Sequence, residues 1–301
     1  MAARRRTIAS RTSAPKRRRL QRVRSLAEVR RALAKLRAGG ERVAFVPTMG
    51  ALHEGHLSLV RLARRVADRV VVSIFVNPLQ FGPREDYARY PRPAARDRAK
   101  LAAEGVDLVW EPQVQDIYPP GDRTRVFVEG LSDILEGSSR PGHYTGVCTV
   151  VARLLNAVQP DDLWLGQKDA QQAVILERMA ADLLIPVRIL RGPTVREEDG
   201  LAMSSRNAYL SHAERQQAVA LSQGLAAAWI LLRSGERNAQ RLAAAIRREW
   251  DGYPLVREDY IAIVDPESLE PLKQVRGAAL IAVAAQVGPA RLIDNFPWSP
   301  R

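Results

Sequence analysis

Of four histidines in this chain of 301 residues, two, His53 and His56, stand three apart. That spacing is wrong for the zinc pattern HExxH, which sets its histidines at i and i+4. It suits phosphate chemistry better. At a helix N-terminus, unsatisfied backbone N–H groups and the positive end of the dipole favour an anion and push an imidazole towards its neutral form, which still donates a hydrogen bond. Taken alone, the pair reads equally well as two loop histidines. A second cluster, Lys168-Asp169, joins a mobile point charge to a carboxylate that caps a helix or holds a ribose hydroxyl. Alone, a helix cap is the simpler reading. A third, Met203-Ser204-Ser205-Arg206, offers two hydroxyls and a guanidinium for a polyphosphate, and alone means nothing. The chain holds no GxxxxGK[ST] and no GxGxxG, so the common phosphate-binding loops are absent. Cys148, in an apolar context, reads as a core residue rather than a nucleophile.

The elements around these residues explain why they can meet. Residues 43–46 have strand character, Pro47 and Gly50 break it, and after Gly55 a helical face of Leu57, Val60 and Leu62 opposes Arg61, Arg64 and Arg65. This strand–turn–helix delivers both histidines to the turn. Before it, Ser25 and Glu28 make a capping box for a helix that Gly39-Gly40 ends. After it, residues 69–76 read as a parallel strand buried on both faces, ending in the loop 77–82. Strands at 106–110, 162–166 and 186–190 alternate with helices at 94–104, 145–158 and 170–183, which predicts a parallel doubly wound sheet binding its ligand beyond the strands' carboxyl ends. Residues 194–207 have no apolar period and read as a mobile loop. Helices at 212–233 and 238–250 and strands at 259–264, 279–285 and 290–294 then predict a smaller α+β domain from about 195.

The net charge of +13 is concentrated at one end: residues 1–27 hold ten Arg or Lys and no acid, which leaves +3 for the other 274. A disordered extension over 1–24, a transit-type leader and a polyanion-binding arm are all compatible with such a tail. The body gives no case for nucleic acid, since its aromatic residues are sparse and not interleaved with basic ones. No apolar run reaches the roughly 18 residues of a membrane span. The single cysteine excludes an internal disulfide and fits a reducing compartment, hence the cytoplasm.

Six motifs in order, PTMGALHEGH, SIFVNPLQFG, YPR, LEGSSRPGHYTGV, GQKDAQQ and DGLAMSSRN, with a looser RLIDN at 291–295, closely resemble the pantoate–β-alanine ligase family. The resemblance covers residues 43–207 and leaves out the basic tail. It implies a Rossmann-like nucleotidyl-transferase fold over 25–194, a C-terminal lid domain over 195–301 and a homodimer. The implied reaction joins pantoate to β-alanine at the expense of Mg²⁺-ATP, through a pantoyl adenylate. Carried over by motif, Met49, Gly50, Ala51, Leu52, His53, Glu54, Gly55 and His56 line the ATP site, with both histidines on the phosphates and His56 as proton donor. Lys168, Ser204, Ser205 and Arg206 complete the polyphosphate clamp, and Gly166, Gln167, Asp169, Val195 and Met203 lie around the nucleotide. Gln80 and Gln172 match pantoate-binding positions, where amides orient hydroxyls without adding charge beside a carboxylate nucleophile. Asn77, Tyr90, Glu136 and Arg140 match further substrate positions, and Asp97 matches a magnesium ligand.

The sequence departs from the pattern twice. Gln167 stands where the family has Glu, and Ala170 where it has an aromatic; neither group is assigned to phosphate chemistry, so activity is expected to be retained. Two other readings stay open. One is a nucleotidyl transferase with a second phosphate substrate, which would want Arg or Lys in place of Gln80 and Gln172. The other is a nucleic-acid-binding protein on an inactive ligase scaffold.

Overall fold

The computed structural model describes residues 19–83 and 85–300, so the expectations for residues 1–18 lie outside it. The first element is a strand, β1 (Gln21–Val23), within the stretch assigned to a disordered tail. It corrects that boundary. Three residues among arginines carry no readable period, and what makes them a strand is the edge of β4 beside them. In chain order follow α1 (Leu26–Leu36), β2 (Val43–Thr48), α2 (Glu54–Val66), β3 (Arg69–Ile74), α3 (Ala94–Ala103), β4 (Leu108–Trp110), α4 (Val114–Ile117), α5 (Glu136–Ser139), α6 (His143–Val158), β5 (Asp162–Gly166), α7 (Ala170–Asp182) and β6 (Arg188–Gly192). The capping box forms as expected, with Glu28 N–H donating to Ser25 Oγ at 3.3 Å and Ser25 N–H to Glu28 Oε2 at 3.1 Å.

The six strands form one parallel sheet in the order β1-β4-β3-β2-β5-β6. One face packs Phe45, Leu108 and Leu163 against α1, α6 and α7. The other packs Val46, Val72 and Val109 against α2 and α3. With helices on both faces the strands are apolar throughout, which is why 43–46 and 70–72 lack alternation. The order reverses at β2: strands laid down next go to one side, β5 and β6 to the other. β2 and β5 pair only through Ala44–Asp162 and Phe45–Leu163. Beyond those pairs the two strands part, and a crevice opens at their carboxyl ends.

The remainder comprises α8 (His212–Gln217), α9 (Ala220–Arg233), α10 (Ala239–Trp250), β7 (Val256–Val264), β8 (Ala279–Val287) and β9 (Ala290–Trp298), the strands making an antiparallel sheet in sequence order. The helix expected over 212–233 is thus two, joined by a turn at Ala218 and Val219 whose backbone stays right-handed. One face of this sheet packs on α9 and α10 around Leu225, Leu242 and Ile281. Its other face brings Ala262, Val264 and Leu280 onto Ala170 and Val174 of α7. The second sheet therefore sits directly over the helix that follows Lys168-Asp169.

Candidate active site

After β2 the chain turns sharply. Gly50 has φ +84°, and a Cβ there would stand 3.0 Å from Ile74 Cγ2 and 3.1 Å from Asp97 Oδ2, so only glycine fits. Asp97, on α3 and 1% exposed, accepts the N–H of Ala51 at 2.8 Å and of Leu52 at 2.9 Å. Both of its oxygens thus accept backbone N–H groups of the turn, and among the described residues no group of three His, Cys, Asp or Glu could hold a metal. A carboxylate on a polar helix face gives no sign in sequence of pointing inward. Lys100, one turn on, donates its Nζ to Leu52 O. Asp97 and Lys100 together fix the turn that leads into α2.

His53 caps α2. Its Nδ1 accepts the N–H of Gly55 at 3.2 Å, while His56 Nδ1 accepts the N–H of His53 at 3.3 Å. The rings lie 4.1 Å apart between centroids. Burial, reinforced by the Lys168 charge, lowers His53 to about 4; burial, then His53 and Lys168, lowers His56 to about 3. Both rings are neutral at pH 7. Since each Nδ1 is an acceptor, each proton sits on Nε2, and two imidazole N–H donors are available at a positive helix end.

Beyond β3, Asn77 is buried and fully occupied. Its Nδ2 donates to Gly146 O at 3.0 Å and Gln80 Oε1 at 3.1 Å, and its Oδ1 accepts from Tyr118 Oη at 2.7 Å. It sets the turn that presents Gln80, whose Nε2 contacts Met49 Sδ at 3.0 Å. The turn lies tight on α6: a Cβ at Gly146 would fall 2.2 Å from Leu79 O. His143, quoted within a motif but given no role in the sequence reading, donates Nδ1–H to Gln80 O at 2.8 Å and receives Arg140 Nη1 on Nε2 at 3.0 Å. Burial and then the Arg140 charge lower its pKa to about 4. Arg140 in turn pairs with Glu85 at 2.5 Å.

Beyond β5, Lys168 reaches Asp169 at 3.6 Å. The 194–207 segment, expected as a mobile loop, holds defined structure. Arg196 and Ala202 bridge, residues Ser205–Tyr209 form a 3-10 turn, and Arg196 Nη1 meets the buried Asp294 of β9 at 2.5 Å. Its anchors are side-chain contacts to β9 and to the loop around residues 86–90, which leave no periodicity. Here Tyr90 Oη lies 3.1 Å from Ser205 Oγ, and Arg206 Nη2 donates to Asp86 at 2.9 Å.

These segments enclose a cavity of about 240 Å³ at the point where the strand order reverses. Met49, His53, Gly55 and His56 line it from β2 and α2, Asn77, Gln80, Tyr90 and Arg140 from the β3 side, and Gly166, Lys168, Asp169 and Gln172 from the β5 side. Val195, Met203, Ser204, Ser205 and Arg206 close it. An adjoining cavity of about 360 Å³, bounded by β9, shares Arg140, His143, Lys168, Asp169, Gln172 and Arg206. The Gln172 side chain makes no hydrogen bond among the described residues, so its amide is free for a ligand.

Six expected site residues fall outside the first cavity, Asp97 apart. Gly50, Ala51 and Leu52 form the turn behind it. Glu54 faces out onto Arg61. Gln167 turns away to Asn295 of β9, at 3.0 Å. Glu136 lines the adjoining cavity and is bound by Arg291 at 2.5 Å and Tyr260 Oη at 3.1 Å. Conversely, Glu85 and Asp86 bind two arginines of the site and were missed, because acidic residues in a polar loop give no positional signal.

The family model for pantoate–β-alanine ligase matches residues 21–297. The pantothenate synthetase of Moorella thermoacetica is 51% identical over 271 residues, 90% of this chain and 96% of that one. That of Acidiphilium cryptum is 52% identical over 277 residues, 92% and 99% respectively. Among solved structures, the pantothenate synthetase of Thermus thermophilus superposes with a TM-score of 0.89 at 49% identity, over 93% of this chain and all of that one. A ligase from Francisella tularensis, solved with βγ-ATP and β-alanine, gives 0.74 at 34% identity over 92% and 97%.

Proposed function

The chain belongs to the pantoate–β-alanine ligase family, and from that premise we propose how its own residues carry the reaction. The enzyme condenses pantoate with β-alanine, consuming ATP. In the first half-reaction a pantoate carboxylate oxygen attacks the α-phosphorus of ATP, the bond to the β-phosphate oxygen breaks, and pyrophosphate leaves with the electron pair. In the second, the β-alanine nitrogen attacks the acyl carbon of pantoyl adenylate, AMP leaves with the electrons of the C–O bond, and the amine loses a proton.

The observation that carries this reading is the pair of neutral imidazoles, His53 and His56, at the start of α2, in one cavity with Lys168, Ser204, Ser205 and Arg206. Two anions must approach in line, so the site needs fixed donors and cations more than covalent help. His53 and His56 donate Nε2–H to phosphate oxygens, and Lys168 and Arg206 neutralise charge that builds on the leaving pyrophosphate. Ser204 and Ser205 add hydroxyl donors. Gly166, Asp169, Val195 and Met203 border the nucleoside, and Gln80 and Gln172 orient pantoate with uncharged amides. Tyr90 and Arg140 bound the acid side, while Asn77 acts through Gln80 and Glu136 through the adjoining cavity.

Among the described residues no group of three possible ligands would cage magnesium; were it bound with ATP, Asp97 at the turn before α2 would be the carboxylate to hand, and the ion would neutralise phosphate charge. The division near residue 195 separates a nucleotide- and pantoate-binding part from a lid. A homodimer in the cytoplasm completes the proposal, supported by the family and by the one cysteine, buried and pushed up to about 12 by desolvation.

The test is pyrophosphate and AMP release. Pyrophosphate should appear with ATP and pantoate alone, AMP only once β-alanine is added, and His56→Ala should lose both. A wild-type protein that binds ATP yet makes neither product refutes the reading.

A further inference from the structure

Glu85 and Asp86 follow one another on the loop after Phe81, and each carboxylate meets a different arginine of the site. Glu85 accepts from Arg140 Nε at 2.8 Å and Nη2 at 2.5 Å, so the loop is tied down on one side. Asp86 Oδ1 accepts Arg206 Nη2 at 2.9 Å on the other, with the guanidinium 6.0 Å from the centroid of the Tyr90 ring. Burial works to raise the Asp86 pKa, but the hydrogen bond and charge of Arg206 outweigh it and leave it lowered, so Asp86 is a carboxylate at neutral pH. Its Oδ2 is buried beside the buried hydroxyl of Tyr209, a side-chain donor.

A part-buried carboxylate set directly on a cation of the site takes up charge that a ligand would otherwise meet. Arg206 hydrogen-bonds Asp86 through one nitrogen, Nη2, and lines both cavities. Its cation is therefore countered before any ligand arrives. A contact that holds the ground state and the transition state equally does not raise kcat, and a site gripping the leaving group too well slows the step that clears it.

We propose that Asp86 is a competing counter-charge for Arg206, which weakens the hold on polyphosphate and so speeds departure of pyrophosphate between the two half-reactions. The proposal rests on Arg206 contacting phosphate, as in the function argued above. Asp86 is a positioning residue: it acts on the ligand through Arg206.

Calorimetric titration with ATP and with inorganic pyrophosphate tests it, on wild type, Asp86→Asn, Arg206→Ala and the double variant. Asparagine keeps the acceptor for Arg206 and turns an amide towards Tyr209, so the fold is not at risk. Removing a unit charge behind the guanidinium should tighten both ligands about tenfold, the order of a like-charge repulsion in a partly buried site. Turnover should fall as pyrophosphate release becomes slower, and the gain should vanish in the double variant. A merely structural role cannot tighten binding. Unchanged or weaker binding in Asp86→Asn, with Arg206→Ala weakened, overturns this inference and leaves the function standing. Arg206→Ala binding ATP like wild type overturns the phosphate role of Arg206, and the inference falls with it.

Discussion

The side-chain amides of Gln167 and Asn295 face each other in a fixed sense. Gln167 Nε2 donates to Asn295 Oδ1 at 3.0 Å, and Asn295 Nδ2 donates back to the carbonyls of Gln167 at 3.0 Å and Lys168 at 2.8 Å. The two sheets are thus joined at the residue preceding the lysine of the site, and the joint requires a donor at position 167.

A carboxylate there would oppose the Asn295 oxygen. Gln167→Glu should therefore lose about 1–2 kcal/mol of stability by urea unfolding at neutral pH, together with some activity through displaced Lys168. Ala170→Tyr should cost more, about 1–3 kcal/mol, because Ala170 is buried against Val264 and Leu280.

Breaking Arg196–Asp294 leaves a carboxylate that is 2% exposed without its guanidinium. Arg196→Met is expected to cost about 3 kcal/mol, the range for an uncompensated buried charge. It should also raise KM for ATP, as the 194–207 segment loses its tie to β9. Asp294→Asn in the same background should restore most of the stability, which a double-mutant cycle in urea would read out.

His53, His56 and His143 have pKa values of about 4, about 3 and about 4. All are depressed below the unfolded value, so between the folded and unfolded pKa values the unfolded chain binds more protons and stability rises with pH. The melting temperature should accordingly fall as pH drops from about 6.5 towards 4. Imidazole NMR signals of the three residues should stay unprotonated over that span. A titration near neutrality in any of them would contradict the neutral-donor role.

Gly146→Ala would put a methyl 2.2 Å from a backbone carbonyl. Neither α6 nor the 77–80 turn can yield cheaply, so a loss of more than about 2 kcal/mol is expected. Displacement of Gln80 should raise KM for pantoate more than KM for ATP.

The sequence carried the site further than it carried the frame around it. β2, the turn and α2 were legible because an apolar run, a glycine and a helical period follow one another within 24 residues. The pairing of Lys168 with the histidines rested on family motifs, since nothing local ties residues a hundred apart. β1 was illegible for a physical reason: a three-residue strand draws its order from its neighbour. The partners of Asp97, Asn77 and Glu136 within the fold were illegible, because a polar residue bonded to backbone or to another side chain looks the same in sequence as one facing only substrate.

β1 also sets a limit on trimming. Gln21 N–H bonds to Asp107 O at 3.0 Å, Glu111 N–H to Val23 O at 2.9 Å, and Trp110 Nε1 reaches Arg24 O at 2.8 Å. A protease or a cloning boundary that removes residues 1–18 takes none of these bonds. One that cuts after Arg24 strips the outermost strand and leaves the backbone of β4 as a bare edge, ready to pair with another chain. Truncations for expression should stop short of Gln21, where the sheet begins.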